Sequence, residues 1–318
     1  MDMYQKRKIR AEKKKDDSPK SFPSVGINWY PGHMAKTKKQ IIEDLKLIDV
    51  VIEVLDARIP LSSVNPDIEK YIKDKKKVIA LNKSDLADEA QNKKWVNYFK
   101  EKGIVAVLVD SNSGKGTEEV IRKIENTYEE ERKQYSEKGR RGKSIRVLVL
   151  GIPNVGKSSF INRITKKTSA TVGNKPGVTK QKQWVRVNEN IELLDTPGVL
   201  WPKFENEQVA LKLAYTGTIK DDILDKVEVA YNLVKYLIEN EQEKIIERYK
   251  ITKEEIEQEL SNDDRMENEN ILEIMYKIGR KRGAIVSGGQ VDEAKVANII
   301  LDDFRSGKLG RITLEKQR

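Results

Sequence analysis

Residues 145–158 read IRVLVL followed by GIPNVGKS. The first part is an apolar run of strand length, and the second fits the pattern G-x-x-x-x-G-K-[ST]. Phe160, Ile161 and Ile164 continue at helical spacing, so the pattern has the preceding strand and following helix that a phosphate-binding P-loop requires. Its glycines let backbone N–H groups turn toward phosphate oxygens. The alternative, a chance glycine-rich turn, is expected in roughly one chain per hundred.

Further residues supply the groups that a P-loop needs around its metal ion and phosphates. Lys157 is expected to reach the β- and γ-phosphates, and the Ser158 hydroxyl to ligate Mg²⁺. Asp195-Thr196-Pro197-Gly198 closes the apolar run 191–194, which places a carboxylate for Mg²⁺ and the Gly198 amide near the γ-phosphate. Thr179 lies in a polar segment long enough to be a mobile switch, and its hydroxyl can complete the metal shell. An ordinary loop position without a metal-binding role is an almost equally good interpretation of Thr179.

A second motif predicts which nucleotide base is bound: it is Asn82-Lys83-Ser84-Asp85, directly after the apolar run 78–81. A carboxylate at Asp85 that accepts both N1–H and N2–H₂ of guanine rejects adenine, and the Lys83 stem can cover the plane of the base. Asp110 and Ser111 follow the run 104–109 and are placed to contact the far edge of the purine. Because each motif lies at the carboxyl end of a strand, where α/β sheets bind ligands, together they predict guanine nucleotide binding.

Apolar runs of strand length alternate with helical patterns up to about Phe204. The runs cover 50–55, 78–81, 104–109, 145–150 and 191–194. This alternation predicts an α/β fold with a doubly wound, mostly parallel sheet. Only helical patterns follow, so we expect a basic, disordered tail at 1–24, a nucleotide-binding domain at 25–205 and an all-α domain at 206–318.

Composition excludes several other classes of protein. The 318 residues include no Cys and one His, which rules out disulfides, thiolate chemistry and Cys/His zinc sites. No apolar run approaches the roughly 18 residues of a membrane span, and the N-terminus lacks the apolar stretch of a signal peptide. We therefore expect a soluble, cytoplasmic protein without a membrane partner.

The formal charge of +10 is unevenly distributed along the chain. Residues 1–24 hold eight Lys/Arg against four acids, and 163–186 hold seven basic residues and no acid. Solvated surface is the plain alternative for any one such run, but several runs beside a ligand site favour an RNA partner. We expect the basic residues of 280–282 and 305–311 to add a second RNA contact from the helical domain.

The motifs stand in an unusual order, because Asn82 precedes Gly151 by 69 residues whereas the phosphate loop comes first in ordinary GTPases. A circular permutation preserves the pocket, since sheet pairing does not depend on where the chain is cut. The sequence resembles the circularly permuted P-loop GTPases, and among them the ribosome biogenesis GTPase A (RbgA/YlqF) family. The resemblance covers nearly the whole chain from Asn28 and is carried by WYPGHMAK at 29–36, DARIP at 56–60, NKSD at 82–85, GIPNVGKSS at 151–159 and LDTPGVLWPKF at 194–204. The Lys-rich extension at 1–24 departs from the family pattern.

This resemblance implies a GTP-binding and GTP-hydrolysing assembly factor for late maturation of the bacterial large (50S) ribosomal subunit. Its partners would be GTP or GDP and the subunit precursor with its rRNA, and it would be monomeric off the ribosome. The subunit would stimulate hydrolysis, which is coupled to release. The family's guanine-binding residues fall on Asn82, Lys83, Ser84, Asp85, Asp110 and Ser111, its phosphate-binding residues on Asn154, Val155, Gly156, Lys157, Ser158, Ser159 and Gly198, and its Mg²⁺ ligands on Ser158, Thr179 and Asp195.

One position departs from many GTPases. Val199 stands where a Gln orients the attacking water, and a valine cannot hydrogen-bond water. His33, interpreted as part of a Pro-Gly loop ahead of the first helix, is the candidate catalytic residue beside Lys157, and the resemblance favours this role over an anchor for the N-terminal loop. Asn154 can help to bind a K⁺ ion, as in similar GTPases. Its alternative is a simple loop hydrogen bond.

Three functions are compatible with these patterns. The leading one is a ribosome-assembly GTPase. The second is a GTPase switch for another RNA or for translation itself. The third, suggested by Val199, is a nucleotide-regulated RNA-binding module that barely hydrolyses GTP.

Overall fold

A computed structural model describes residues 32–129, 144–166, 184–196, 198–201, 206–262 and 267–317. Within these residues one sheet contains the strands β1 (Val50–Asp56), β2 (Lys76–Asn82), β3 (Val105–Leu108), β4 (Ile145–Leu150), β5 (Trp184–Arg186) and β6 (Ile191–Asp195). The strands lie in the order β3-β2-β1-β4-β6-β5, and all neighbours are parallel except β5 and β6. The predicted doubly wound, mostly parallel sheet is confirmed.

Strand β1 lies at the centre of the sheet and joins two distant parts of the chain. All seven of its residues are buried, which explains why its sequence shows no polar alternation. It pairs with β2 along its whole length, from Val50 opposite Lys76 to Asp56 opposite Asn82. On its other side it pairs with β4 from Val50 to Glu53. The carboxyl ends of β1, β2 and β4 therefore meet at one edge of the sheet.

Five helices accompany these strands: α1 (Gly32–Asp44), α2 (Pro66–Ile72), α3 (Glu89–Glu101), α4 (Thr117–Thr127) and α5 (Lys157–Lys166). The Asn65 side chain caps α2 by accepting hydrogen bonds from the N–H groups of Asp67 and Ile68. The Asp88 side chain caps α3 in the same way through the N–H of Gln91. Such caps satisfy N–H groups that have no partner within the helix, and they fix where each helix begins.

Helix α1 begins earlier than its apolar positions indicate. His33 is its second residue, so the interpretation of His33 as part of a loop ahead of the first helix is wrong. Residues 36–40 are all polar and carry no apolar periodicity, and the recognisable apolar face starts only at Ile41. Apolar spacing therefore does not reveal where this helix begins.

Three strands extend one residue beyond their apolar runs, and β1 does so at Asp56. Strand β2 includes Asn82, and β6 includes Asp195, which pairs with Val149 of β4. Both polar residues are therefore held by the sheet rather than by a loop. Strand β5 has no counterpart in the prediction, because three residues with no buried member are too short to show a pattern.

Beyond residue 206 the described chain forms the helices α6 (Glu207–Tyr215), α7 (Lys226–Asn240), α8 (Gln242–Tyr249), α9 (Lys253–Leu260), α10 (Glu267–Lys281) and α11 (Glu293–Arg305). In this described part, extended pairing is confined to an isolated bridge between Ile285 and Val291. The helical character expected after Phe204 is confirmed. Leu237 and Ile278 are fully buried between these helices. None of the helices that the structure describes is long and apolar enough to cross a membrane.

Residues 309–317, the C-terminal segment, follow the last helix and contact the loops after β1 and β2 and helix α3. The N–H of Ile312 donates to the carbonyl of Leu86, and the N–H of Leu314 donates to the carbonyl of Arg58, both at 2.9 Å. The indole N–H of Trp95 donates to the carbonyl of Glu315 at 2.8 Å. The end of the chain is thus hydrogen-bonded to the part of the molecule that carries the base motif.

The Glu315 carboxylate is buried and anchors this segment. It accepts hydrogen bonds from the N–H groups of Leu61 at 2.7 Å and Ser62 at 3.2 Å, and from the Ser62 hydroxyl. The Lys212 ammonium of α6 lies 3.3 Å from the same carboxylate. One side chain thereby joins three separate parts of the chain.

We expect Glu315→Ala to lower the free energy of unfolding by about 2–4 kcal/mol, because buried N–H donors and a partly buried ammonium lose their acceptor. Urea denaturation measures this loss. Glu247→Ala is the control, since Glu247 is exposed on α8 and its removal should cost less than about 0.5 kcal/mol. Equal stabilities for the two variants would contradict the anchoring role.

Candidate nucleotide-binding site

The P-loop pattern forms the expected loop between β4 and α5. Gly156 has a φ of +89° and Asn154 a φ of +60°, which turns the loop back on itself. A Cβ added at Gly156 would lie 2.3 Å from Nδ2 of Asn82, so only glycine fits at this position. Ser158 and Ser159 are exposed at the start of α5, whereas Lys157 is buried.

The buried Lys157 ammonium lies at the end of β6. It donates hydrogen bonds to Oδ1 of Asp195 at 2.8 Å and to the carbonyl oxygen of Thr196. The Thr196 hydroxyl donates to the backbone of β4 at 2.8 Å. Gly198 packs against the P-loop, since a Cβ there would lie 3.0 Å from the backbone nitrogen of Pro153. Those residues assigned to phosphate and metal that the structure describes therefore lie at the carboxyl ends of β4 and β6.

The Asn82 side chain joins the base motif to the P-loop. Its Nδ2 donates to the carbonyl of Val155 at 2.7 Å. Its Oδ1 accepts from the Ser111 N–H at 3.1 Å and from the Ser111 hydroxyl at 2.7 Å. All three residues are buried, and their polar groups satisfy one another. The predicted base and phosphate motifs are thus brought into direct contact.

Lys83 adds a second connection between these motifs. It adopts a left-handed φ of +57°, and its ammonium donates to the Asn154 carbonyl at 2.6 Å. The same ammonium lies 3.0 Å from the buried carboxylate of Asp56, which also pairs with Arg58 at 2.8 Å. Burial alone would raise the pKa of Asp56, but the Arg58 guanidinium and the Lys83 ammonium outweigh it and hold that pKa well below its usual range. Asp56 therefore stays ionised and orients Lys83.

Asp85 lies in the exposed loop after Asn82 and Lys83, where a ligand can reach it. Desolvation and the neighbouring Asp110 carboxylate raise the pKa of Asp85, whereas the guanidinium groups of Arg58 and Arg311 oppose that rise. Asp110 accepts hydrogen bonds from the N–H groups of its own turn, at 2.9 Å from Asn112. The two carboxylates therefore occupy neighbouring positions at the edge of the sheet.

Four further residues singled out in the sequence differ in what the structure shows of them. Val199 is buried in an apolar cluster with Ile41 of α1, Ile68 of α2 and Leu150 of β4, which keeps it away from any polar role. The Asn154 amide donates to the carbonyl of Gly217 at 2.6 Å, a contact that matches the loop hydrogen bond left open by the sequence. Thr179 and the tail at 1–24 lie outside the described residues, and the structure describes only the helical backbone of His33.

Sequence reasoning assigns no site role to Asp56 or Arg58 and assigns Arg311 only to an RNA contact, although all three surround the base motif. A buried carboxylate and guanidinium two residues apart, in DARIP at 56–60, are a signal for an internal ion pair. Arg311 carries no such signal, because its partners are backbone carbonyls more than 220 residues away.

The expected basic surface at 305–311 stays a prediction, but its two arginines also have partners inside the molecule. The Arg305 guanidinium pairs with Asp221 at 2.9 Å and donates to the carbonyls of Ala214 and Tyr215. Arg311 is likewise committed to internal carbonyls. Arg305 is partly buried by these contacts, whereas Arg311 is hydrogen-bonded internally but still exposed, and Lys308 is more than half exposed.

Comparisons with known proteins agree with this geometry. Residues 146–274 match the family model described as "50S ribosome-binding GTPase". The chain is 44% identical over 289 residues to ribosome biogenesis GTPase A of Bacillus cereus, covering 91% of this chain and 93% of that protein. It is 31% identical to the Thermotoga maritima protein of the same name, again over 91% of this chain and 94% of that protein. The crystal structure of GNP-bound YlqF from T. maritima superposes with a TM-score of 0.58 at 26% identity, over 88% of this chain and 98% of that one.

The sheet, its P-loop and the reversed order of its motifs define a circularly permuted P-loop GTPase, which hydrolyses GTP. Such an enzyme binds guanine nucleotides. The chain belongs to the ribosome biogenesis GTPase A family, and it is a GTPase of ribosome biogenesis.

We expect Gly156→Ala to weaken nucleotide binding at least tenfold, because the added methyl group displaces the Asn82 amide from the P-loop. Titration with a fluorescent GDP analogue measures the affinity. Gly103→Ala is the control: Gly103 also has a positive φ, of +72°, but a Cβ there meets nothing within 4 Å. Both variants should lose about 1 kcal/mol of stability from backbone strain. Equal affinities would contradict the role of the Gly156–Asn82 contact.

Proposed function

We propose that this GTPase is an assembly factor for late maturation of the large (50S) ribosomal subunit. The subunit precursor and its rRNA stimulate hydrolysis, and hydrolysis is coupled to release of the GDP form. The protein acts in the cytoplasm and is monomeric off the ribosome. The family description "50S ribosome-binding GTPase", matched over residues 146–274, supports the choice of subunit.

The observation that carries the proposed site is the pair of hydrogen bonds from Asn82 to Val155 and Ser111. They fix the base motif, the P-loop and the Asp110–Ser111 turn relative to one another. A nucleotide that spans this junction has its base beside Asp85 and its phosphates at the N-terminus of α5. In this assignment Asn82, Lys83, Ser84, Asp85, Asp110 and Ser111 bind guanine, and residues 154–159 with Gly198 bind the phosphates.

The residues at the end of β6 fit Mg²⁺. No group of three or more His, Cys, Asp or Glu that could hold a metal occurs in the described part of the chain. Mg²⁺ in P-loop enzymes needs few protein ligands, since phosphate and water oxygens complete its shell. The Asp195 carboxylate and the exposed Ser158 hydroxyl are hard oxygen donors, and Thr179 is the third assigned ligand. Bound Mg²⁺ neutralises developing phosphate charge, while Lys157 exchanges its contact with Asp195 for phosphate oxygens.

Asn154 is assigned to a K⁺ ion near the phosphates. Its backbone carbonyl already accepts from Lys83 and its amide N–H donates to Gly217, so the side-chain oxygen is the group offered to a cation. An oxygen donor of this kind suits a hard monovalent ion.

We assign His33 as the group that orients the attacking water. Val199 cannot take this role, because it is apolar and buried against α1. His33 lies in the first turn of the same helix, eight residues before Ile41, about 12 Å along the helix axis. A histidine can donate or accept a hydrogen bond to water near neutral pH.

We expect Asp85→Asn to weaken GTP binding by about 3 kcal/mol, because a donor replaces one of the two acceptors that face guanine N1–H and N2–H₂. The variant should favour xanthosine triphosphate, whose 2-oxo group accepts a hydrogen bond from the new side-chain amide. Competition between the two nucleotides measures the switch. Unchanged preference for GTP would remove residues 82–85 from base recognition.

We expect His33→Ala to bind GTP nearly normally but to lose most of the turnover that large subunits stimulate, because no base or phosphate contact is removed. Lys157→Ala should lose turnover with and without subunits. Gln40→Ala, an exposed change on the same helix as His33, is the control and should behave like the wild type. Stimulated hydrolysis that survives in His33→Ala would exclude His33 from the chemistry.

We expect the GTP-analogue form to co-sediment with large subunits more strongly than the GDP form, with affinity that falls steeply as salt rises. The basic switch segment 163–186, with Lys175, Lys180 and Lys182, is assigned to this nucleotide-dependent contact. Changing those three lysines to Ala should remove the dependence on nucleotide. Equal binding of both forms across the salt titration would contradict the coupling, and binding to another RNA alone would favour a different partner.

A further inference from the structure

We propose that Arg311 is a positioning residue for guanine recognition. From the C-terminal segment, its guanidinium holds the loop 83–87 in the conformation that presents the Asp85 carboxylate to the base. This inference rests on the proposed role of Asp85, and the experiment below separates the two. It gives a specificity role to a residue more than 220 positions away from the motif that contacts the base.

The guanidinium of Arg311 binds the loop on both sides of Asp85. Its Nε donates to the carbonyl of Ala87 at 2.7 Å, and its Nη2 donates to the carbonyl of Ser84 at 3.0 Å. The rigid, planar fork of an arginine sets the distance between two acceptors that it binds at once, which a lysine cannot do. The two hydrogen bonds therefore tie residues 84 and 87 to one rigid group, and Asp85 lies within that interval.

The backbone of the C-terminal segment supports the same loop. The N–H of Ile312 donates to the carbonyl of Leu86 at 2.9 Å, and the Thr313 hydroxyl accepts from the N–H of Asp88 at 3.0 Å. Three successive residues, from Arg311 to Thr313, thus contact the loop that follows Asp85. The segment itself is held in place by buried Glu315.

The first part of the loop is held from the other side. The N–H of Ser84 donates to the carbonyl of Val109 at 3.1 Å, and Asn92 of α3 donates to the carbonyl of Ser84 at 2.9 Å. Asp85 therefore lies between Ser84, which Val109 and α3 hold, and residues 86–88, which the C-terminal segment holds. We expect loss of Arg311 to loosen the link between residues 84 and 87 and so to shift the Asp85 carboxylate, while Ile312 and Thr313 keep the loop attached and the contacts of Asn82 remain.

The charge of Arg311 acts in the same direction as its hydrogen bonds. Desolvation and the Asp110 carboxylate raise the pKa of Asp85, and the guanidinium groups of Arg58 and Arg311 counteract that effect. The carboxylate must be ionised to accept two hydrogen bonds from guanine. Arg311 thus favours both the position and the ionised form of the base-reading group.

The test compares GDP with inosine diphosphate, which lacks the 2-amino group, in four full-length proteins: the wild type, Arg311→Gln, Lys316→Gln and Asp85→Asn. We expect Arg311→Gln to weaken GDP binding about tenfold and inosine diphosphate binding less, so that the ratio of the two affinities falls. Lys316→Gln is the matched control, because Lys316 lies on the same segment and pairs with Glu241 at 2.7 Å instead of with the loop. It should retain the wild-type affinities and their ratio.

A ratio of affinities does not depend on the fraction of protein that is folded, so a structural defect alone would leave it unchanged. An unaltered ratio in Arg311→Gln would overturn the inference, whether or not both affinities fall together. If Arg311→Gln cannot be purified, Arg311→Lys, which keeps the charge but not the fork, is tested with the same expected direction. A reduced ratio in Asp85→Asn with no change in Arg311→Gln rejects only the role of Arg311. An unchanged ratio in Asp85→Asn rejects the proposed base-reading role itself.

Discussion

The side-chain amide of Asn82 is the interaction on which the site depends. It donates to the P-loop at Val155 and accepts twice from Ser111, so one buried side chain at the end of β2 joins the loops that follow β3 and β4. Such a network is stable only when all of its members are satisfied, because an unpaired buried amide costs about 1–3 kcal/mol. Gly156 belongs to the same constraint, since any side chain there would occupy the position of the amide. The distance between the base motif and the P-loop is therefore fixed before a nucleotide arrives.

This constraint also explains how a reversed order of motifs is tolerated. Strand β1 pairs in parallel with β4, which follows it by about 90 residues along the chain. The backbone hydrogen bonds between the two strands do not depend on which of them comes first in the sequence. Contacts outside the sheet hold the parts together as well. The Asn154 amide reaches Gly217 ahead of α7, and Glu315 joins the loop at 61–62 to Lys212 of α6. The helical part of the molecule is thus connected to both the phosphate side and the base side of the site.

Much of the fold and of the candidate site could be predicted because their signals are local. Apolar runs reveal strands that are buried on both faces, and the P-loop and the base motif are short contiguous patterns at strand ends. The start of α1 could not be predicted from apolar spacing, since residues 36–40 are all polar and interrupt the pattern. The roles of Asp56 and Arg311 could not be predicted either. Their partners, the Lys83 ammonium and the carbonyls of Ser84 and Ala87, are chosen by tertiary packing and leave no periodic trace in the sequence.

The arginines near the end of the chain show why counting charges overestimates the surface offered to RNA. Arg305 and Arg311 satisfy carbonyl oxygens and the Asp221 carboxylate, and Arg248 pairs with buried Asp303 at 2.8 Å. A guanidinium that already donates to internal acceptors must break those bonds before it can bind a phosphate, so it contributes little to counterion release. The cations with few internal partners, such as Arg280 and Lys281 at the end of α10, are exposed and remain available. The cations of the described residues therefore fall into two sets: one holds the helical part and the loop 83–87 in place, and the other stays exposed at the surface.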